Sequence, residues 1–401
     1  MTPSARVQTA IEFIDAIIRS ARDNGAAADN LIAQGFRERR YMGSKDRRAV
    51  RDLVYRVIRA FGDSPLSGRA AMIALAETDA DLAALFDGSH YGPAAIDADE
   101  PRASGGAVPG WLEDRFAEPV DAAERQALLG RAPLDIRFRP DRIDGGAIRR
   151  LWPAARFHDA LPAAARLEAG TRIEESPLWE QGALEVQDWG SQAIVAACGA
   201  MADACLIIDL CAGAGGKTLA LAAQAPEMCR IIASDVSRAR LDQLEPRRIR
   251  AGHGNIETLL LDPGREWDRL GALAEQADLV LIDAPCSGTG TWRRNPETRW
   301  RLTPERLDRL VDQQRRLIEL ASRLVRPGGQ MVYAVCSLLA AEGSDQIGGW
   351  VADHPDWKVD LPAIGMGRPV RFNHGSPAGI IVTPQHDGTD GFFFTRMLKS
   401  C

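Results

Sequence analysis

Apolar residues recur at helical spacing through the first part of the chain, with Val7, Ile11, Ile14 and Ile18 in one run and Val50, Leu53, Val54, Val57 and Ile58 in another. This predicts a small all-helical domain over residues 1–86. Residues 87–110 are dominated by Gly, Pro, Ala, Ser and Asp, which reads as a linker. Residues 111–200 mix short strand-like and helical pieces, among them LDIRFRP and TRIEES, and read as a small α+β lead-in.

From residue 201 to 401 the period changes. Short apolar runs at Leu206 to Leu210, Ile231 to Ser234, Glu257 to Leu261, Leu279 to Ile282 and Gln330 to Val335 predict strands. Helical patterns lie between them, near Thr218 to Gln224, Arg238 to Ile249, Trp267 to Gln276 and Pro304 to Val325. The last has Thr303 as N-cap, Pro304 in the first turn and Pro327-Gly328-Gly329 as the expected stop. Repeated strand–helix units predict an α/β fold with a parallel, doubly wound sheet. Ligands of such sheets bind beyond the carboxyl ends of the strands, where strand order reverses.

Composition narrows the classes. The 401-residue chain is 45% hydrophobic and 26% charged, which disfavours disorder, and its longest apolar runs fall far short of a membrane span. Neither a secretory signal nor a metal-ligand spacing stands out, so a soluble cytoplasmic protein without a metal is expected, with a monomer as the working state. Seven cysteines, an odd number with none before Cys198, make no disulfide framework. The net charge of −6 argues against indiscriminate adhesion to polyanions. Local basic runs remain. Arg37 to Arg59 carries nine basic residues, including Arg39, Arg40, Lys45, Arg47 and Arg48, against three acidic ones. Trp292 to Arg326 carries ten arginines, including Arg293, Arg294 and Arg299, against five acids, with Trp292 and Trp300 interleaved. Either run is a nucleic-acid contact face or an ordinary solvated helix face.

The candidate chemistry gathers at strand ends. The first strand runs into Cys211-Ala212-Gly213-Ala214-Gly215-Gly216-Lys217, a glycine turn that matches neither the Walker pattern nor GxGxxG. Asp235 at the end of the second strand can accept from both hydroxyls of a ribose, and Asp262 after the third can meet an adenine amino edge, which suggests a nucleoside cofactor. The fourth strand ends in Asp283-Ala284-Pro285-Cys286-Ser287 and the fifth in Val335-Cys336-Ser337. Two thiols at adjacent strand tips favour chemistry over structural burial, although an ordinary thiol, with a pKa of about 8.5, is only a few per cent thiolate near neutrality.

DLCAGAGGKT, DAPCSGTG and YAVCSL, in that order, resemble motifs I, IV and VI of the RNA 5-methylcytosine methyltransferases, and specifically the RsmB/Sun type acting on 16S ribosomal RNA. Residues 40–59 resemble that type's NusB-like RNA-binding domain, and GALEVQDWGSQ, RRNPETRWRLTPERL and DGTDGFFFTRML its other blocks. The chain departs from the usual CAAPGGKT at Gly213 and Ala214, and has Val335 where TCS is common. The resemblance implies a Rossmann-like class I methyltransferase domain, S-adenosylmethionine as cofactor and RNA as partner. It also implies that Cys336 adds to carbon 6 of cytosine, that Cys286 helps resolve the adduct and that Asp283 holds the ring. Cys211, Ala212, Gly213, Gly215, Gly216, Lys217, Asp235, Asp262 and Asp283 would surround the cofactor, with Lys217 also near the incoming base. DNA cytosine methyltransferases use the cysteine of a proline–cysteine motif, so the two thiols exchange roles in a second reading. Transfer RNA or another ribosomal site is an alternative substrate, and a non-catalytic RNA-binding assembly factor an alternative class.

Overall fold

The computed structural model describes residues 1–372 and 375–401, which form two compact units. The first comprises Met1–Phe116, Arg125–Gly130 and Thr291–Pro304, and the second Ala117–Glu124, Arg131–Gly290 and Glu305–Cys401.

The first unit is helical: α1 (Pro3–Arg22), α2 (Ala28–Glu38), α3 (Ser44–Ala60) and α4 (Gly68–Ala76) enclose a core that includes Ile14, Ile17, Val54 and Met72. Residues 87–110 do not form the loose linker their composition suggests. Their polar groups find partners on the helices: Arg69 donates to Glu100 at 2.7 Å and to the carbonyls of Ala94 and Ala95, and Ser4 donates to Asp87 at 2.6 Å.

Part of this unit comes from far along the chain. The segment Thr291–Pro304 satisfies helix ends that lack their own caps. The α2 N-cap, Ala27, has no side chain able to accept a hydrogen bond, and Glu297 accepts the Ala28 N–H instead at 3.1 Å, while Arg301 donates to the carbonyls of Gly25 and Ala26 in the loop before it. At the end of α3, Arg299 donates to the Ile58 carbonyl and Trp300 Nε1 to that of Phe61 at 2.9 Å.

In the second unit, β1 (Leu134–Phe138), β2 (Arg156–His158), β3 (Leu161–Leu167) and β4 (Leu184–Val186) make an antiparallel sheet in the order β2-β3-β1-β4. IEE of the TRIEES run is a 3-10 turn, not a strand. This sheet has its own core around Ile136, Phe138 and Leu184 and lies in the same compact unit as the larger one. Arg166 reaches the Gly388 carbonyl at 2.8 Å, and Gln330 reaches that of Cys198 at 2.8 Å.

The larger sheet holds β5 (Leu206–Asp209), β6 (Arg230–Asp235), β7 (Ile256–Leu260), β8 (Ala277–Asp283), β9 (Val325–Val335), β10 (Trp357–Val359), β11 (Arg368–Phe372), β12 (Ser376–Val382) and β13 (Phe392–Lys399). Among the described residues its order is β11-β12-β13-β9-β8-β5-β6-β7, with β10 also on β13. The pairs from β9 through β7 are parallel, and β13 is antiparallel to β9. The chain runs outward from β5 to β6 and β7 and then returns to β8 on the other side of β5, so strand order reverses between β5 and β8.

All five strands expected from the apolar runs form. The helix starting at Pro304 ends at Ser322 because the carbonyls of Arg323 and Leu324 are taken by the N–H groups of Glu275, Gln276 and Ala277. Pro327-Gly328-Gly329 then lies inside β9 as a bulge, where pairing passes from Ala277↔Val325 to Leu279↔Gln330. Among the described residues, no helix is long and apolar enough to cross a membrane, and no group of three His, Cys, Asp or Glu side chains is placed to hold a metal ion.

Candidate active site

Asp209 closes β5 and is fully buried, with Thr218 Oγ1 donating to it at 2.6 Å. Burial pushes its carboxyl up to about 7. The glycine turn follows. Gly213 (φ +56°) and Gly215 (φ +80°) are left-handed, and they differ in what surrounds them. A β-carbon on Gly215 would lie 2.2 Å from Leu244 Cδ1, whereas one on Gly213 would have nothing within 4 Å. Gly215 is therefore a packing glycine, and Gly213 faces open space.

Asp235, at the end of β6, accepts the Gly213 N–H at 2.9 Å and the Ser237 N–H at 2.7 Å. A fixed carboxylate beside an open glycine turn suits a nucleoside-bearing cofactor, so the residues present fit such a group. Asp262 sits exposed two residues beyond β7. Ala212 ties the turn down, its N–H donating to the Ser234 carbonyl and its carbonyl accepting the Gly215 N–H, both at 2.9 Å. Burial, then the charges of Asp209, Asp283 and Asp235, push the Cys211 thiol well above its ordinary value, which leaves it protonated.

The register Asp283↔Ala334 sets the tips of β8 and β9 side by side. Ala284 N–H extends the pairing to the Ala334 carbonyl at 2.9 Å, and the next turns deliver Cys286 Sγ to 3.3 Å from Cys336 Sγ. The spacing of 50 residues thus closes in space as the strand pattern predicts. The hydrogen bond to Cys336, and then burial, push the Cys286 thiol well above its ordinary value. Lys217 Nζ donates to Asp283 Oδ2 at 2.7 Å. Burial disfavours the Lys217 ammonium, but Asp283 and the other acidic groups around it together hold the pKa above the usual lysine value. The Phe392 ring lies 5.8 Å from the same Nζ.

Several residues here were given no role from the sequence, although Glu185 and Gln187 lie in the GALEVQDWGSQ block. Arg247 donates to the Ala214 carbonyl of the glycine turn and pairs with Glu185 at 2.9 Å, and Gln187 donates to the Gly216 carbonyl at 3.3 Å. Glu342 and Gln314 lie under the two cysteine turns. The serines after each cysteine were the only hint of that polar layer.

The basic residues divide. Arg40, Lys45 and Arg48 are exposed on the helical unit. Arg39 pairs with Glu12 at 2.9 Å and lies over Phe13, and Arg47 donates to the Met42 carbonyl. Arg294 is exposed and Arg293 half-buried. Arg299 and the two tryptophans depart from the expectation of an RNA-facing surface. Arg299 is 1% exposed and bound to backbone carbonyls, and Trp292 and Trp300 are buried, so none of the three presents a face for phosphate contact or stacking. The helix ends that this segment caps require that burial.

This strand order, with a cofactor turn after β5 and carboxylates at successive strand ends, defines a Rossmann-like class I methyltransferase. A sequence profile described as 16S rRNA methyltransferase RsmB/F matches residues 199–398. The probable ribosomal RNA small subunit methyltransferase B of Synechocystis is 31% identical over 304 residues, which is 73% of this chain and 67% of that protein. The ribosomal RNA small subunit methyltransferase B of Sodalis glossinidius is 34% identical over 305 residues, 73% of this chain and 65% of that protein. The matched stretch therefore spans about two thirds of these relatives. The chain belongs to the RsmB/F family of 16S rRNA methyltransferases, and S-adenosylmethionine is its cofactor.

Solved structures share the fold. PH0851 superposes with a TM-score of 0.75 at 20% identity over the whole of both chains. NSun6 of Pyrococcus horikoshii, solved with SFG, superposes with a TM-score of 0.63 at 18% identity, over 73% of this chain and 97% of that one.

Proposed function

We propose that this protein methylates carbon 5 of a cytosine in small-subunit ribosomal RNA through a covalent bond between Cys336 and the base. The observation that carries the reading is the pair of thiols 3.3 Å apart at the tips of β8 and β9, beside the Lys217–Asp283 pair. Carbon 5 of cytosine is too weak a nucleophile to take a methyl group unaided. Addition of the Cys336 thiolate to carbon 6 forms a carbon–sulfur bond and moves the ring electrons onto carbon 5. The cofactor supplies an electrophilic methyl group. Loss of the carbon 5 proton then expels the thiolate and restores the aromatic ring.

The family resemblance separates the roles of the sulfurs: Cys336 would attack, and Cys286, 3.3 Å away, would help resolve the adduct, with the Lys217–Asp283 pair beside them. Asp283 would hold the ring at its N3 and amino edge. Gly213 and Gly216 would leave room for the cofactor while Gly215 packs the turn on Leu244, Asp235 would take the ribose hydroxyls and Asp262 the adenine edge. The target base must be unpaired or flipped, because a stacked cytosine hides carbon 6 from a thiol. The exposed Arg40, Lys45 and Arg48 would meet RNA phosphates.

Bisulfite sequencing of ribosomal RNA from a strain lacking the gene, against its parent, tests the reading. One small-subunit cytosine protected in the parent and converted in the deletion is expected. Unchanged ribosomal RNA with a lost transfer-RNA signal would move the substrate, and no change in either would leave a binding protein without turnover.

A further inference from the structure

Beneath the two thiols lies a carboxylate that the reaction above does not use. Glu342 stands on the 3-10 turn Ala340–Glu342 just past β9 and is completely buried. Its Oε1 accepts the Ser287 N–H at 2.8 Å and Gln314 Nε2 at 2.9 Å. Its Oε2 accepts the hydroxyls of both Ser287 and Ser337. Gln314 also donates to the Pro285 carbonyl at 2.9 Å, and Tyr333 OH donates to the Glu342 carbonyl at 2.7 Å. The residues held are thus the immediate neighbours of Cys286 on both sides and of Cys336 on one.

All these donors to the side chain are neutral. Burying a carboxylate without a cation is costly, and an apolar side chain of similar volume would often stabilise a fold as well. What an apolar side chain could not do is bind two cysteine–serine turns, 50 residues apart in sequence, to a single point. We propose that Glu342 is a positioning residue for methyl transfer, which holds the Cys286 and Cys336 turns in one fixed register by bonding Ser287 and Ser337 together. Its charge also disfavours ionisation of the Cys286 thiol. This role rests on the two-thiol reaction proposed above.

The test compares Glu342→Gln and Glu342→Ala with the wild-type chain in two readouts. The first is capture of phenylarsine oxide, which bridges neighbouring thiols, followed by intact mass with Cys286→Ala as the negative control. The second is steady-state methylation of ribosomal RNA. Glu342→Gln is expected to slow arsenical capture and lower kcat by about tenfold or more, with KM for RNA within about twofold, since small displacements of reacting groups act on kcat. Glu342→Gln should retain more of both than Glu342→Ala, because the amide still accepts from Ser287 N–H. Wild-type capture and kcat in Glu342→Gln would overturn the proposal. So would equal losses in the two variants that merely follow a fall in Tm. If the wild-type chain methylates no cytosine, the reaction assignment fails, and the arsenical rate alone then judges Glu342.

Discussion

Gly213 and Gly215 have similar backbone angles and opposite surroundings, so the same substitution separates their functions. Gly215→Ala drives a methyl group into Leu244, and a loss of about 2 kcal/mol or more is expected from left-handed strain and overpacking together. Gly213→Ala adds its methyl to open space, so its stability cost stays near the roughly 1 kcal/mol of the left-handed conformation while cofactor affinity falls. Urea midpoints and cofactor titration of both variants check this. Asp209 makes a pH prediction. Its folded pKa, about 7, lies above the ordinary carboxyl value, so it contributes stability that is full below about pH 4 and lost as pH rises toward 7. Asp209→Asn should therefore gain stability relative to wild type between pH 4 and 7, read from denaturant midpoints; a constant difference across that range would contradict it. At this scale the sequence exposes the reacting atoms, because a cysteine at a strand tip is visible from the strand pattern. It hides Glu342, whose partners Ser287 and Gln314 lie 55 and 28 residues away and carry no periodicity.

Element by element, the parallel strands were the most legible feature, since a strand buried on both faces is a continuous apolar run bounded by turns. Helix ends were less so. The helix from Pro304 stops short of its apolar pattern because strand pairing claims Arg323 and Leu324. Within the basic run from Trp292 to Arg326, Arg299, Trp292 and Trp300 depart from a surface role for a similar reason. The run's arginines and tryptophans have the composition of an RNA surface, yet the uncapped ends of α2 and α3 draw Glu297, Arg299 and Trp300 inward. Arg299→Ala should consequently destabilise the helical unit by about 3 kcal/mol, as buried carbonyls lose a charged donor. Thermal unfolding checks this, and a fully stable variant would return Arg299 to the surface role.

For the molecule as a whole, an acidic chain must bind a polyanion through local charge. Replacing Arg40, Lys45 and Arg48 together by alanine should reduce the slope of log affinity against log salt by about 2 for unpaired RNA. An unchanged slope would place the phosphate contacts elsewhere. The α/β architecture was readable at this scale from alternation alone. The packing units were not, because composition marks residues 87–110 as a linker while hydrogen bonds to α1 and α4 fold them into a domain. The claim on which everything turns is that one particular sulfur attaches to the base. Intact-mass analysis under denaturing conditions, after incubation with S-adenosylmethionine and ribosomal RNA, tests it most directly. Cys286→Ala should accumulate a protein–RNA adduct and Cys336→Ala should form none; an adduct that persists in Cys336→Ala would contradict the account.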